Sequence, residues 1–249
     1  MAIATIDHNY QGIDQKCTMC GALDYASFED VIKQGSGKTF KLVGKVVAIY
    51  GGNPYQGIFI ANGEFGLQVY KTSNAMAEGI SVGDIVEVVG KYAWYGTNRT
   101  VEIDVSGSGS LTKLEAAPDH GYTAPVDYAF DAATWATITS SSTAADNIYT
   151  NRPITVTGVV KEGVTGGLQF VIYKGDSNIT AEIKQAISLV AVGKTVTVTG
   201  VVGSYNGTTQ IVAPVVVDVQ LTQEEKDALA LAEAIKGLEG AYLTEKTEL

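Results

Sequence analysis

Cysteine and histidine are scarce in this chain, two of each in 249 residues. Two thiols, Cys17 and Cys20, are too few for a disulfide-stapled scaffold. The histidines, His8 and His120, both fall in stretches without strand or helix periodicity. Neither a Ser-His-Asp triad nor a paired-carboxylate site can be assembled around them, and no enzyme activity is expected. No window reaches the ~18 apolar residues of a membrane-crossing helix, so no membrane span is expected. Met1 to His8 lack a basic segment followed by an apolar one. The expected site of synthesis is the cytoplasm without a signal peptide, with the virion as a destination. The alternative is the bacterial cell surface, if a signal was removed. Lys33-Gln-Gly-Ser-Gly-Lys-Thr39 lacks the first glycine of a phosphate loop, and no buried strand precedes it. No cofactor is expected.

Positive charge is also in short supply. Seventeen Lys and Arg face 27 Asp and Glu, for a net charge of −10 and a pI near 4.7. The deficit is uneven. Residues 38–105 balance at zero and 150–221 carry +1, whereas 1–37, 106–149 and 222–249 carry −3, −4 and −4. A nucleic-acid binder concentrates Lys and Arg on its binding module, because phosphate contacts supply much of its affinity. That concentration is absent, and nucleic acid is not expected as a partner.

What the chain does hold is a repeat. Val82-Gly-Asp-Ile-Val-Glu-Val-Val-Gly90 and Val192-Gly-Lys-Thr-Val-Thr-Val-Thr-Gly200 share a Val-Gly turn, an alternating strand and a second Gly seven residues on. Each then runs through a Tyr to a Gly at a hairpin tip. Around the first copy the periodicity predicts strands over 39–50, 56–61, 65–70, 84–94 and 99–105, with a short irregular or helical link at 73–79. Around the second it predicts strands over 154–162, 168–173, 195–202 and 208–212, with a helix at 179–186. Gly158 stands where the first copy has Gly44. Residues 25–33 form a short helix candidate that Ser27 could cap, and Ala133–Ile138 resembles part of it. Ser106-Gly-Ser-Gly-Ser110 reads as a flexible break. Thr222-Gln-Glu-Glu225 is a capping box, followed by an apolar stripe of Ala228, Leu231, Ala232, Ile235 and Leu238. That stripe must dock, either on the second domain or on another subunit.

Five strands with a short helix between the third and fourth is the order of an OB-fold. The Val-Gly-x-x-Val-x-Val-x-Gly stretches and Tyr205-Asn-Gly-Thr-Thr-Gln210 resemble the OB-type domains of bacterial surface proteins and extracellular nucleases. In such nucleases the catalytic residues lie in a separate domain, which nothing in this chain matches. The expected fold is all-β, with two tandem OB-fold-like five-stranded barrels, short helices and a C-terminal α-helix. The expected organisation is an arm with a short helix over 1–37, barrels over 38–112 and 152–221, a linker over 113–151, and a helical tail over 222–249.

The resemblance implies a ligand face on strands two and three of each barrel. In the first this draws on Phe59, Phe65, Gln68 and Tyr70, and in the second on Gln169, Phe170 and Tyr173. At the first hairpin tip stand Tyr92, Trp94 and Tyr95, beside Arg99 and Lys91, and of these rings Trp94 and Tyr95 are hard to explain as core. With Arg99, Leu231 and Ile235 they are the candidate partner-binding residues. Cys17 and Cys20 are half of a zinc ribbon, and no second Cys pair completes it; no metal is expected. The expected function is a non-enzymatic structural or interaction protein docking in a larger assembly, such as a bacteriophage capsid or tail accessory component. Its partners would be other protein subunits, in a homo- or hetero-oligomer. The alternative is a single-stranded nucleic-acid or carbohydrate-binding OB-fold module.

Overall fold

The computed structural model describes residues 8–34, 36–51, 55–95, 100–128, 148–162, 168–174, 177–183, 192–205, 208–228, 230–232 and 234–236. An N-terminal hairpin, β1 (Tyr10–Gln11) and β2 (Lys16–Cys17), precedes helix α1 (Phe28–Gln34). The first barrel follows as β3 (Thr39–Tyr50), β4 (Tyr55–Asn62), β5 (Phe65–Ser73), α2 (Asn74–Ala77), β6 (Ile85–Tyr95), β7 (Thr100–Asp104) and β8 (Ser110–Leu114). The second comprises β9 (Pro153–Glu162), β10 (Leu168–Lys174), β11 (Ser177–Ile183), β12 (Thr195–Tyr205) and β13 (Thr208–Val219). The chain is mostly β, as its composition and alternation indicate.

Both barrels close in the OB order. In the first, β3-β4-β5-β7-β6 closes through β3–β6, with a parallel β5–β7 step placing Gln68 opposite Glu102. In the second, β10-β11-β13-β12-β9 closes likewise, with a parallel step placing Glu182 opposite Gln210. The glycines of the repeat explain themselves. Gly83 and Gly193 turn the chain at φ +100° and +87°, where a side chain is strained. Gly90 and Gly200 lie under the neighbouring strand: a Cβ would come within 2.5 Å of Ile103 Cγ2 in one and 2.7 Å of Ile211 Cγ2 in the other.

Alternation fills each barrel. Phe40, Leu42, Val46, Ile58, Ile60, Leu67, Val69, Val86, Val88 and Ile103 form the first core, plugged by Phe28, Val31 and Ile32 of α1. Ile154, Val156, Val160, Val196, Val198, Val202 and Ile211 form the second.

Several elements differ from the sequence expectation. Residues 177–183 form β11 rather than the start of a helix. Ile179, Ala181 and Ile183 alternate with polar residues, and the strand pairs with β10 along its full length. Ser110 opens an extra strand, β8, on β6, so the Ser/Gly stretch is a turn with a strand behind it. The arm is folded: Ile13 packs on the first core, and Lys38 pairs with Asp14 at 2.9 Å. The helix candidate at 133–138 lies outside the described residues. The tail forms its capping box, with the Glu225 amide donating to Thr222 Oγ1 and the Thr222 amide to Glu225 Oε2. Of its stripe, Ala228, Leu231, Ala232 and Ile235 are exposed on this chain, and Leu238 lies outside the described residues.

Candidate ligand surface and the barrel junction

The two barrels meet through Asn151 and Arg152, just before β9. Asn151 takes a left-handed conformation at φ +64°, which its short polar side chain tolerates. Its amide donates to Val202 O in its own barrel at 2.7 Å. Its side-chain nitrogen donates to Thr100 Oγ1 at 2.6 Å and to Val101 O at 3.2 Å in the other barrel. The facing residue is Gly66, where a Cβ would lie 1.9 Å from Asn151 O.

Arg152, one of two arginines in the chain, is 7% exposed. Its guanidinium lies 4.8 Å from the Phe65 ring, 5.2 Å from Tyr149 and 5.6 Å from Tyr128. Nε donates to Ile148 O at 2.9 Å. Desolvation pulls the guanidinium below its ordinary pKa, opposed by the charge of Glu64. An arginine keeps its proton regardless, so a cation is held among three rings where the barrels join. Alternation and composition gave no sign of this box. The one available signal was Arg152 opening the second barrel.

Beside it lies an apolar seam: Ala48 and Phe59 of the first barrel against Val201, Val212 and Ala213 of the second. This places the expected ligand residues. Phe59 is 3% exposed within the seam, and Gln68 is 8% exposed on the same outward face of β4–β5. Glu102, its partner in the parallel ladder, is 5% exposed. Phe65 is half-buried beneath Arg152. Tyr70 alone of the four stands clear, with Lys71 Nζ 5.2 Å from its ring. The strand-two and strand-three face of the first barrel is therefore covered by the second barrel at Phe59, while Tyr70 at its end stays open.

The structure also separates the expected tip residues. Tyr92 and Trp94 pack on the first core, for Trp94 the core role that its place at the tip made hard to expect, and burial pushes the Tyr92 phenol up. Tyr95 is exposed. Arg99 lies outside the described residues. Leu231 and Ile235 are exposed on the tail helix, which Glu225 ties to Lys194.

Two cavities flank the junction. One of about 400 Å³ is lined by Tyr25, Phe28, Asn62, Glu64, Phe65 and Tyr122, with Glu64 its charged member. At its edge the Tyr25 hydroxyl donates to Glu87 Oε2 at 2.7 Å. Desolvation and that bond push the Tyr25 phenol up to about 12. A second of about 290 Å³ opens between the barrels at Lys45, Asp127, Thr155 and Thr199. In the arm, Cys17 and Cys20 lie together with His8. Hydrogen bonds from the Cys20 amide, the His8 ring and the Met19 amide pull the Cys17 thiol down to about 6.

No family model matches the chain. No curated protein matches it. Solved structures do. A murine DNA-binding protein bound to double-stranded DNA is 11% identical, with a TM-score of 0.40 over 73% of this chain and 99% of that one. An HINa domain in complex with 20-base-pair double-stranded DNA is 11% identical, with a TM-score of 0.38 over 73% and 96%. The p202 HIN1 domain with 12-mer double-stranded DNA is 13% identical, with a TM-score of 0.37 over 78% and 100%. All three were solved with double-stranded DNA, which stands against the expectation that set nucleic acid aside as a partner. The implied relation to bacterial surface proteins and extracellular nucleases finds no support among them, and neither does a virion component.

Proposed function

We propose that the chain is a non-catalytic tandem OB-fold module that binds a single nucleic-acid strand on β10 and β11 of its second barrel. OB-type barrels take ligands on strands two and three. One observation carries the reading. In the first barrel that face is occupied by the second barrel, through Phe59, Val201 and Val212. In the second, β10 pairs with β9 and β11, and β11 with β13, and among the described residues no residue of β10 or β11 belongs to the seam. Charge supports the same assignment, because 150–221 is the one stretch with a net positive charge. Lys161 stands exposed on β9, and Lys174 ends β10.

The test is a fluorescence-anisotropy titration of labelled oligo-dT and of a duplex of equal length. Binding of oligo-dT is expected, with a shallow salt dependence. Two phosphate contacts give a slope of about −1.4 in log K against log salt. Tyr173→Ala should weaken binding, by about 1–3 kcal/mol if it stacks on a base, while Tyr70→Ala on the first barrel leaves it unchanged. Preference for the duplex, or no binding at low salt, overturns the reading.

A further inference from the structure

The N-terminal hairpin holds a cluster that the ligand surface does not use. Cys17, Cys20 and His8 bring Sγ, Sγ and Nδ1 within 4.8 Å of one another. His8 Nδ1 lies 3.3 Å from Cys20 Sγ. At a tetrahedral zinc ion, bonds of about 2.3 Å to sulfur and 2.1 Å to nitrogen place neighbouring ligand atoms about 3.5–3.8 Å apart. The three side chains therefore need only small rotations to converge on one ion. Among the described residues no fourth Asp, Glu, Cys or His joins them.

The backbone builds this arrangement independently of any ion. Cys17 ends β2 and is 2% exposed, while Cys20 is exposed at the end of the turn. The Gly21 amide donates to Cys17 O at 2.9 Å, and the Cys17 amide to Ala22 O at 2.7 Å. Gly21 closes the turn at φ +78°. His8 is set on the adjoining segment, where its ring stacks on Tyr10 at 5.4 Å and the Asn9 carbonyl accepts from the Thr18 amide at 3.0 Å. The hairpin is itself fastened to the first barrel through Lys38 and Asp14.

We propose that His8, Cys17 and Cys20 form a binding site for a thiophilic divalent cation, zinc in the first instance, with the fourth position open to water or an external ligand. Two thiolates and an imidazole suit zinc, and a three-ligand set leaves a coordination position free. The sequence offered Cys17 and Cys20 only. His8, nine residues before Cys17, became visible as a partner once the hairpin folded it back.

The test uses the full chain, reduced and stripped with chelator, then titrated with Co²⁺ and afterwards with Zn²⁺. One Co²⁺ per chain is expected, with the intense visible bands of tetrahedral cobalt and a sulfur-to-metal charge-transfer band. Zn²⁺ should displace it. Cys17→Ser and Cys20→Ser should each abolish the charge-transfer band or reduce it to that of one thiolate. His8→Ala should weaken binding by at least about tenfold, the lower end of the loss seen even for outer-sphere partners. His8→Cys should keep the tetrahedral spectrum and strengthen charge transfer. Circular dichroism of each variant checks that the barrels stay folded. The site is overturned by octahedral cobalt bands, by uptake unchanged in the cysteine variants, or by a Cys17–Cys20 disulfide that forms in reducing buffer and takes up no metal. Unchanged affinity in His8→Ala overturns the assignment of His8.

Discussion

Arg152 joins the barrels by chemistry that few other side chains supply. A planar cation lies over three rings while its Nε satisfies a backbone carbonyl. A desolvated cation–π contact is worth about 2 kcal/mol, and the orphaned Ile148 carbonyl would cost about 1 kcal/mol more. Arg152→Met should therefore lose about 3 kcal/mol in denaturant unfolding, and Arg152→Lys should recover less than half, because an ammonium is a point charge and cannot lie flat over rings. A loss under 0.5 kcal/mol in Arg152→Met would make the box incidental.

Acid sensitivity is also set residue by residue. Desolvation raises the Asp104 carboxyl, but hydrogen bonds from Lys71 and Ser106 outweigh it and the net shift is downward. For Asp14 the Lys38 hydrogen bond leads, and the shift is again downward. A carboxyl that holds its proton less tightly when folded adds stability above its unfolded value of about 3.9 and loses it as pH falls through the folded value. Asp104→Asn should thus cost about 0.5–1 kcal/mol at pH 7, and the gap from the parent should close below about pH 4, as read by urea titrations across pH.

At the scale of elements, the close strand-to-strand approaches decide which glycines are replaceable. Gly66→Ala drives a Cβ into the Asn151 backbone, which cannot yield without opening the junction. The expected loss is more than about 3 kcal/mol, together with binding of a hydrophobic dye as Phe59 becomes exposed. Gly51→Ala, with nothing within 4 Å, should be neutral when both variants are compared with the parent in thermal melts.

The elements also divide by how readable they were. β6 and β12 could be read directly, because a Val-Gly turn, alternation and a glycine under the next strand are local requirements written in local residues. β11 could not. The Ala181-Glu-Ile-Lys-Gln-Ala186 run favours helix, and over residues 181–183, its described part, ladder pairing with β10 overrides that preference. β8 hid behind a Ser/Gly run, because its edge pairing with β6 leaves little apolar pattern. The cysteine pair was visible and His8 was not, since their meeting depends on a hairpin whose strands are two residues each.

For the whole molecule, the docking of one barrel on the other has no local signal at all. Phe59 and Gln68 alternate as an open face would, and only the arrival of Val201 and Val212 closes it. A seam of this kind should make the barrels unfold together. Calorimetry is expected to show one transition for the parent chain and two for Gly66→Ala, the second barrel separating from the first.

The same seam is the ground for assigning a strand-binding face to the second barrel alone. Hydrogen-exchange mass spectrometry with and without oligo-dT tests that most directly. Slowed exchange confined to residues 168–183, with 55–73 unchanged, is the predicted result. Slowed exchange over 55–73, or no change anywhere at saturating oligo-dT, would contradict it.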